Sequence, residues 1–226
     1  MKYQAQTSIL FLLLCYWSRP PTVSGFTEEQ LQRVTGYVQR TFGIRGQHAY
    51  AVKFTPAQCA ALSENDIAAA LNGENIQNVK NAMNSQSIYS GTQMVMATYK
   101  DLGNNKREHS EHRLLYPPSR SSVSPAQDLM NRQPAAGCVL FYTYNSPCNA
   151  YCTNPNGRFN IVDKLSVFGT NNKAFVFNQV YQEQNINCCH ETRLKSVDKQ
   201  MPLYRCTNNC IKCFNNNRFN ALCLRA

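Results

Sequence analysis

His109-Ser110-Glu111, followed further along by Pro147-Cys148 and Cys152, constrains this chain more than any other feature. One imidazole and two thiols are three ligands of the kind zinc takes in sites that keep a fourth position for water. Glu111 stands two residues from the imidazole, beside the ligand set but outside it. A fold that joins these motifs must bring the His109 segment to the end of the strand predicted over 138–144. A helix opening near Pro147, a residue suited to the first turn, would turn Cys148 and Cys152 to one side, because residues four apart share a helix face. Its free N–H groups would also favour thiolate over thiol. Taken singly, these residues have ordinary readings: a surface histidine, a solvated glutamate, a disulfide pair. Their order and spacing together argue for one site.

The N-terminus sets the expected compartment. Lys2 precedes the short apolar run Ile9 to Trp17, and small residues at Ser24 and Gly25 suit cleavage, so residues 1–25 read as a secretory signal peptide. The run is shorter than the ~20 apolar residues that span a bilayer, and no stable membrane insertion is expected. Removing residues 1–25 lowers the formal charge from +10 to +8. A cationic secreted chain favours anionic partners. The remaining 200 or so residues suffice for one domain with a real core. Residues 26–185 are expected to form it, with 186–226 as a cysteine-rich extension packed on it.

Ten cysteines remain after the leader. With Cys148 and Cys152 reserved for the metal, Cys59, Cys138, Cys188, Cys189, Cys206, Cys210, Cys213 and Cys223 form an even set, enough for up to four disulfides in an oxidising compartment. Spacing leaves their connectivity open. The four that follow residue 205 read as a stapled C-terminal cap; a second zinc site there with His190 is the alternative.

Thr27 and Gln30 make a capping box before Leu31, Val34, Val38 and Phe42 at helical spacing, with Gly43 as the stop. Strands are expected over 49–54, 88–99, 138–144 and 174–181. Helices are expected over 57–86, in two pieces broken at Gly73, from His109 to Pro117, from Ser124 to Asn131, and over 159–168. This alternation implies an α/β layered domain.

Zinc lowers the pKa of a bound water toward neutrality, giving hydroxide as nucleophile. Glu111 is then placed to take the water's proton, pass it to a ring nitrogen and help ammonia leave. Thr143-Tyr-Asn-Ser-Pro-Cys148 resembles the strand-end S-P-C motif of the AID/APOBEC-like polynucleotide cytidine deaminases. His109-Ser-Glu-His-Arg-Leu-Leu resembles their zinc-binding helix, and Ala174 to Tyr181 the strand that follows their second zinc motif. With a leader and extra cysteines, the chain is most similar to the secreted novel AID/APOBEC-like deaminases. The second motif is C-x3-C, one residue longer than the usual form.

The resemblance implies a cytidine deaminase-like three-layer fold, with a central, roughly five-stranded mixed sheet flanked by helices. It implies Zn2+, deamination of cytosine to uracil in single-stranded DNA or RNA, and a role in immunity. Tyr116, Tyr144 and Tyr181 are expected to stack a base, and Arg113 to meet phosphate. The alternatives are a non-catalytic cationic protein that binds nucleic acid or glycans on the same scaffold, and a deaminase of free nucleosides or adenine.

Overall fold

The computed structural model describes residues 25–104, 106–170, 172–181 and 190–225. The expected leader and the Cys188-Cys189 pair lie outside them. Helix α1 (Glu28–Phe42) begins at the Thr27–Gln30 capping box and ends at Gly43, which adopts φ 61°. Strand β1 (His48–Phe54) follows and is buried throughout. The segment before β2 forms three helices, α2 (Pro56–Ala61), α3 (Glu64–Leu71) and α4 (Ile76–Asn84). The extra break falls at Leu62, which turns to φ 46° between the Thr55–Gln58 and Ser63–Asp66 capping boxes.

The single strand expected over 88–99 is a hairpin, β2 (Ile88–Ser90) and β3 (Met94–Thr98). Buried Glu74 closes its turn, accepting bonds of 2.6 Å from the Tyr89 hydroxyl and the Gln93 amide. A Cβ at Gly91 would stand 1.6 Å from that carboxylate. Glycine is therefore what lets the turn close there. Short strands β4 (Lys100–Asp101) and β5 (Arg107–Glu108) pair with each other.

Helices α5 (Ser110–Leu115) and α6 (Pro125–Asn131) lead to β6 (Cys138–Asn145). Ser124 caps α6 with Pro125 in its first turn, as read from the sequence. The helix expected over 159–168 is one short 3-10 segment, Val162–Val167. Then come β7 (Lys173–Gln179), α7 (His190–Gln200), β8 (Leu203–Cys206), β9 (Cys210–Lys212) and the hairpin of β10 (Phe214–Asn215) and β11 (Arg218–Phe219).

The central sheet has seven strands in the order β2-β3-β1-β6-β7-β8-β9. This is two more than expected, because the C-terminal cysteine-rich segment adds β8 and β9. The sheet is mixed: β6, β7 and β8 run parallel, and the other pairings are antiparallel. Helices cover both faces. Leu31, Val34, Val38 and Phe42 of α1 pack with α2–α4 on Tyr50, Leu140, Tyr142 and Val176. On the other face Leu114, Leu129, Leu165, Leu194 and Val197 cover Ala49, Ala51, Phe141 and Phe175. Strand residues alternate between the two cores, as period-2 geometry requires.

Among the described residues, three disulfides join Cys59 to Cys138, Cys206 to Cys210, and Cys213 to Cys223. The C-terminal cysteines are thereby committed to each other, which removes the alternative of a second zinc site built on them.

Candidate metal centre and active site

His109 is the N-cap residue of α5, so its side chain projects from the helix start, and Glu111 follows within the first turn. Cys148 and Cys152 come just after β6. They do not sit on a helix. Residues 149–152 form a turn, followed by Asn154-Pro155-Asn156-Gly157, a run that favours turns over helix. The turn is pinned instead by tertiary bonds. The Thr153 amide donates to the Cys148 carbonyl at 3.1 Å, and the Ile161 amide to the Cys152 carbonyl at 2.8 Å. Arg193 of α7 reaches the Thr153 carbonyl at 3.2 Å. The extra residue of C-x3-C is absorbed by this turn, and both thiols still face His109.

The His109 Nδ1 lies 3.4 Å from the Cys152 Sγ and 3.7 Å from the Cys148 Sγ. The two sulfurs are 3.2 Å apart, well beyond the ~2.05 Å of a disulfide bond. Ligands held at zinc's usual bond lengths around one tetrahedral ion stand roughly 3.5–3.8 Å apart. The three atoms therefore fit a single ion, and nitrogen with two sulfurs is a donor set that zinc favours. Burial alone would push both thiols up. The hydrogen bond from Cys152, opposed by burial and aided by His109, brings the Cys148 thiol down to about 6. Donating that bond, with burial and nearby Glu111, raises Cys152.

Glu111 is only 2 % exposed. The Thr143 hydroxyl donates to its Oε1 at 2.6 Å, while Ser110 Oγ and Gln47 Nε2 donate to its Oε2 at 3.1 and 3.3 Å. The carboxylate is held in one orientation beside the ligand triad. Both line a cavity of about 140 Å³, walled further by Gln47, Tyr99, Asn145 and Tyr181. Arg107 also lines it, its guanidinium 4.8 Å above the Tyr99 ring. Ser146 ties the wall together, donating its amide to the Gln179 carbonyl at 2.7 Å and accepting the Tyr181 amide at 2.9 Å.

The sequence-predicted quartet His109, Glu111, Cys148 and Cys152 comes together, and Tyr181 joins it at the cavity mouth, 39 % exposed. Three others stand elsewhere. Arg113 turns inward under the sheet, donating to the carbonyls of Thr98 and Gln86 at 2.7 Å each. Tyr116 stacks on His112 and bonds the Asn160 carbonyl at 2.5 Å. Tyr144 follows the alternation of β6 onto the opposite face of the sheet. Gln47, Tyr99, Thr143 and Asn145 were not anticipated. Only strand alternation could have flagged Thr143 and Asn145, once one face was known to hold the metal motif.

The model of one protein family, Secreted Novel AID/APOBEC-like Deaminase 2, matches residues 31–222. The chain belongs to this family. The match to Secreted Novel AID/APOBEC-like Deaminase 2 spans both site motifs and runs through the sheet strands contributed by the C-terminal segment. No curated protein and no solved structure gives a match. The family's name says secreted, and three disulfides fit an extracellular protein. Among the described residues, no helix is long and apolar enough to cross a membrane.

Proposed function

We propose that this chain is a secreted, zinc-dependent deaminase that converts cytosine to uracil in single-stranded DNA or RNA, in immune defence against foreign nucleic acid. In this reading residues 1–25 are a leader removed on export, 26–185 form the catalytic domain and 186–226 an extension packed on it. The observation that carries the reading is the buried, oriented Glu111 beside an unoxidised His/Cys/Cys triad at one cavity. His109, Cys148 and Cys152 would hold the ion. Zinc, when bound, supplies a Lewis acid that makes water acidic enough to attack carbon near neutral pH.

The chain's own groups do the rest. Glu111 takes one proton from water and delivers it to the ring nitrogen, then carries the second, from the hydroxyl added to the ring carbon, to the departing amine. Thr143 holds Oε1 still, so that the carboxylate serves both positions without reorienting. In this reading the amides of Gln47 and Asn145, which line the cavity, bond the base, and Tyr181 and Tyr99 stack on it. Arg107, exposed at the rim, and the net charge of +8 that remains once the leader is removed favour a polyanion over a free nucleoside.

Zinc-loaded secreted protein is expected to form uracil in cytosine-containing single-stranded oligonucleotides, with turnover falling as salt rises. Turnover of free cytidine alone, or none on any cytosine substrate, overturns the proposal. Thr143→Val removes a hydrogen bond to a charged group, which is worth ~1.5–3 kcal/mol. It is expected to lower kcat by roughly tenfold to a hundredfold with zinc content unchanged. Steady-state kinetics beside metal analysis check this.

A further inference from the structure

Strand β6 serves two cavities. Thr143 and Asn145 face the cysteine turn, while Tyr142 and Tyr144 line a larger cavity of about 300 Å³ across the sheet, roofed by α1. Among the described residues, none that lines it is charged, although the chain carries 23 lysines and arginines. Its walls present the amide of Gln32 and, as acceptors, the amide oxygens of Gln39 and Asn178 and the Thr35 hydroxyl, whose own donors go to the carbonyls of Ile44, Cys206 and Leu31. Tyr50 and Tyr142 stack on each other with ring centres 4.7 Å apart and planes within 15°. Burial holds both phenols well above their ordinary range, so they remain hydroxyl donors.

Two further observations mark this cavity as built for a ligand. Tyr50 is 1 % exposed and lines the cavity, yet among the described residues its hydroxyl has no hydrogen-bond partner. A buried polar group left so is costly unless something meets it. The second is Gly36, in the middle of α1 and on the cavity wall. Glycine is among the poorest helix formers. No close backbone approach requires it there, since a Cβ would meet only the flexible tip of Arg40, at 3.2 Å. Its effect is to leave this stretch of the cavity wall without a side chain of its own, the Arg40 tip aside.

We propose that this cavity is a second binding site, for a neutral sugar ring. Amides and hydroxyls outnumber free ring faces, because the two deepest tyrosines are occupied with one another. That suits a polyhydroxylated ring better than a flat nucleobase. Among the described residues no cation lines the cavity, and the nearby Arg40 tip is paired with Glu64, which disfavours phosphate, sulfate or a sugar acid. The site is independent of the catalytic reading.

The test is saturation-transfer NMR on the secreted, zinc-loaded chain, with glucose, galactose, mannose, N-acetylglucosamine and cytidine as separate probes. At least one sugar is expected to give ring-proton signals and cytidine to compete with none of them. Gly36→Leu fills the space and is expected to abolish the signal while leaving the melting temperature unchanged or higher. Gln39→Ala, on the exposed side of α1, gives a second variant that keeps the core intact, and is expected to weaken sugar binding about tenfold. Absence of signal from every sugar, sugar binding unaltered in both variants, or displacement of the sugar by cytidine overturns the proposal.

Discussion

Glu111→Gln is expected to lower the rate of cytosine deamination by a factor of about 10²–10⁴, the usual worth of a positioned general acid and base. Glutamine keeps the shape of the side chain, and its amide oxygen still accepts the Thr143 hydroxyl bond that the carboxylate accepts at 2.6 Å. What it loses is the capacity to hold a proton in transit. Zinc content and melting temperature should therefore stay at their wild-type values while turnover collapses. Rates measured on a saturating oligonucleotide, with metal analysis on the same samples, separate the two. A variant that retains its zinc and most of its turnover would place the proton path elsewhere.

The second large effect concerns the scaffold. The Cys59–Cys138 disulfide ties α2 to the start of β6 across 79 residues of chain. Closing a loop of that length removes about 4.5 kcal/mol of denatured-state entropy. Both cysteines are buried in the core under α1, on the opposite face from the cysteine turn. Cys59→Ala/Cys138→Ala is therefore expected to lower the melting temperature by about 10 °C, with the metal still bound in the folded protein. Calorimetry under non-reducing conditions checks it. A shift of less than about 2 °C would mean that the denatured chain gains little freedom from opening this loop.

What the sequence revealed follows from how local each signal is. The capping box of Thr27 and Gln30, the Ser124-Pro125 start and the apolar run of β6 act within a few residues, and each produced its element. The site quartet was legible because metal ligation demands particular side chains whatever the fold. The shape of the cysteine turn was not. It depends on Arg193 and on the backbone around Ile161, both distant in sequence from Cys148. Strand alternation states that Thr143 and Tyr144 point to opposite sides, but only the packing of α1 decides which side holds the His/Cys/Cys triad. Arg113 looked like a surface cation because its two acceptors, the carbonyls of Thr98 and Gln86, belong to segments that only the fold brings under it. Strands β8 and β9, of four and three residues, are too short to stand out from a cysteine-rich run.

Zinc content per chain, measured in the natively secreted protein beside Cys148→Ser, tests the central claim most directly. His109, Cys148 and Cys152 acting as the three protein ligands of one ion predict about one zinc per chain, lost in the variant while the disulfide-bonded fold persists. No zinc in the wild-type protein, or equal zinc in both, would contradict the account. The buried triad would then be a structural feature of the deaminase family's scaffold rather than its reaction centre.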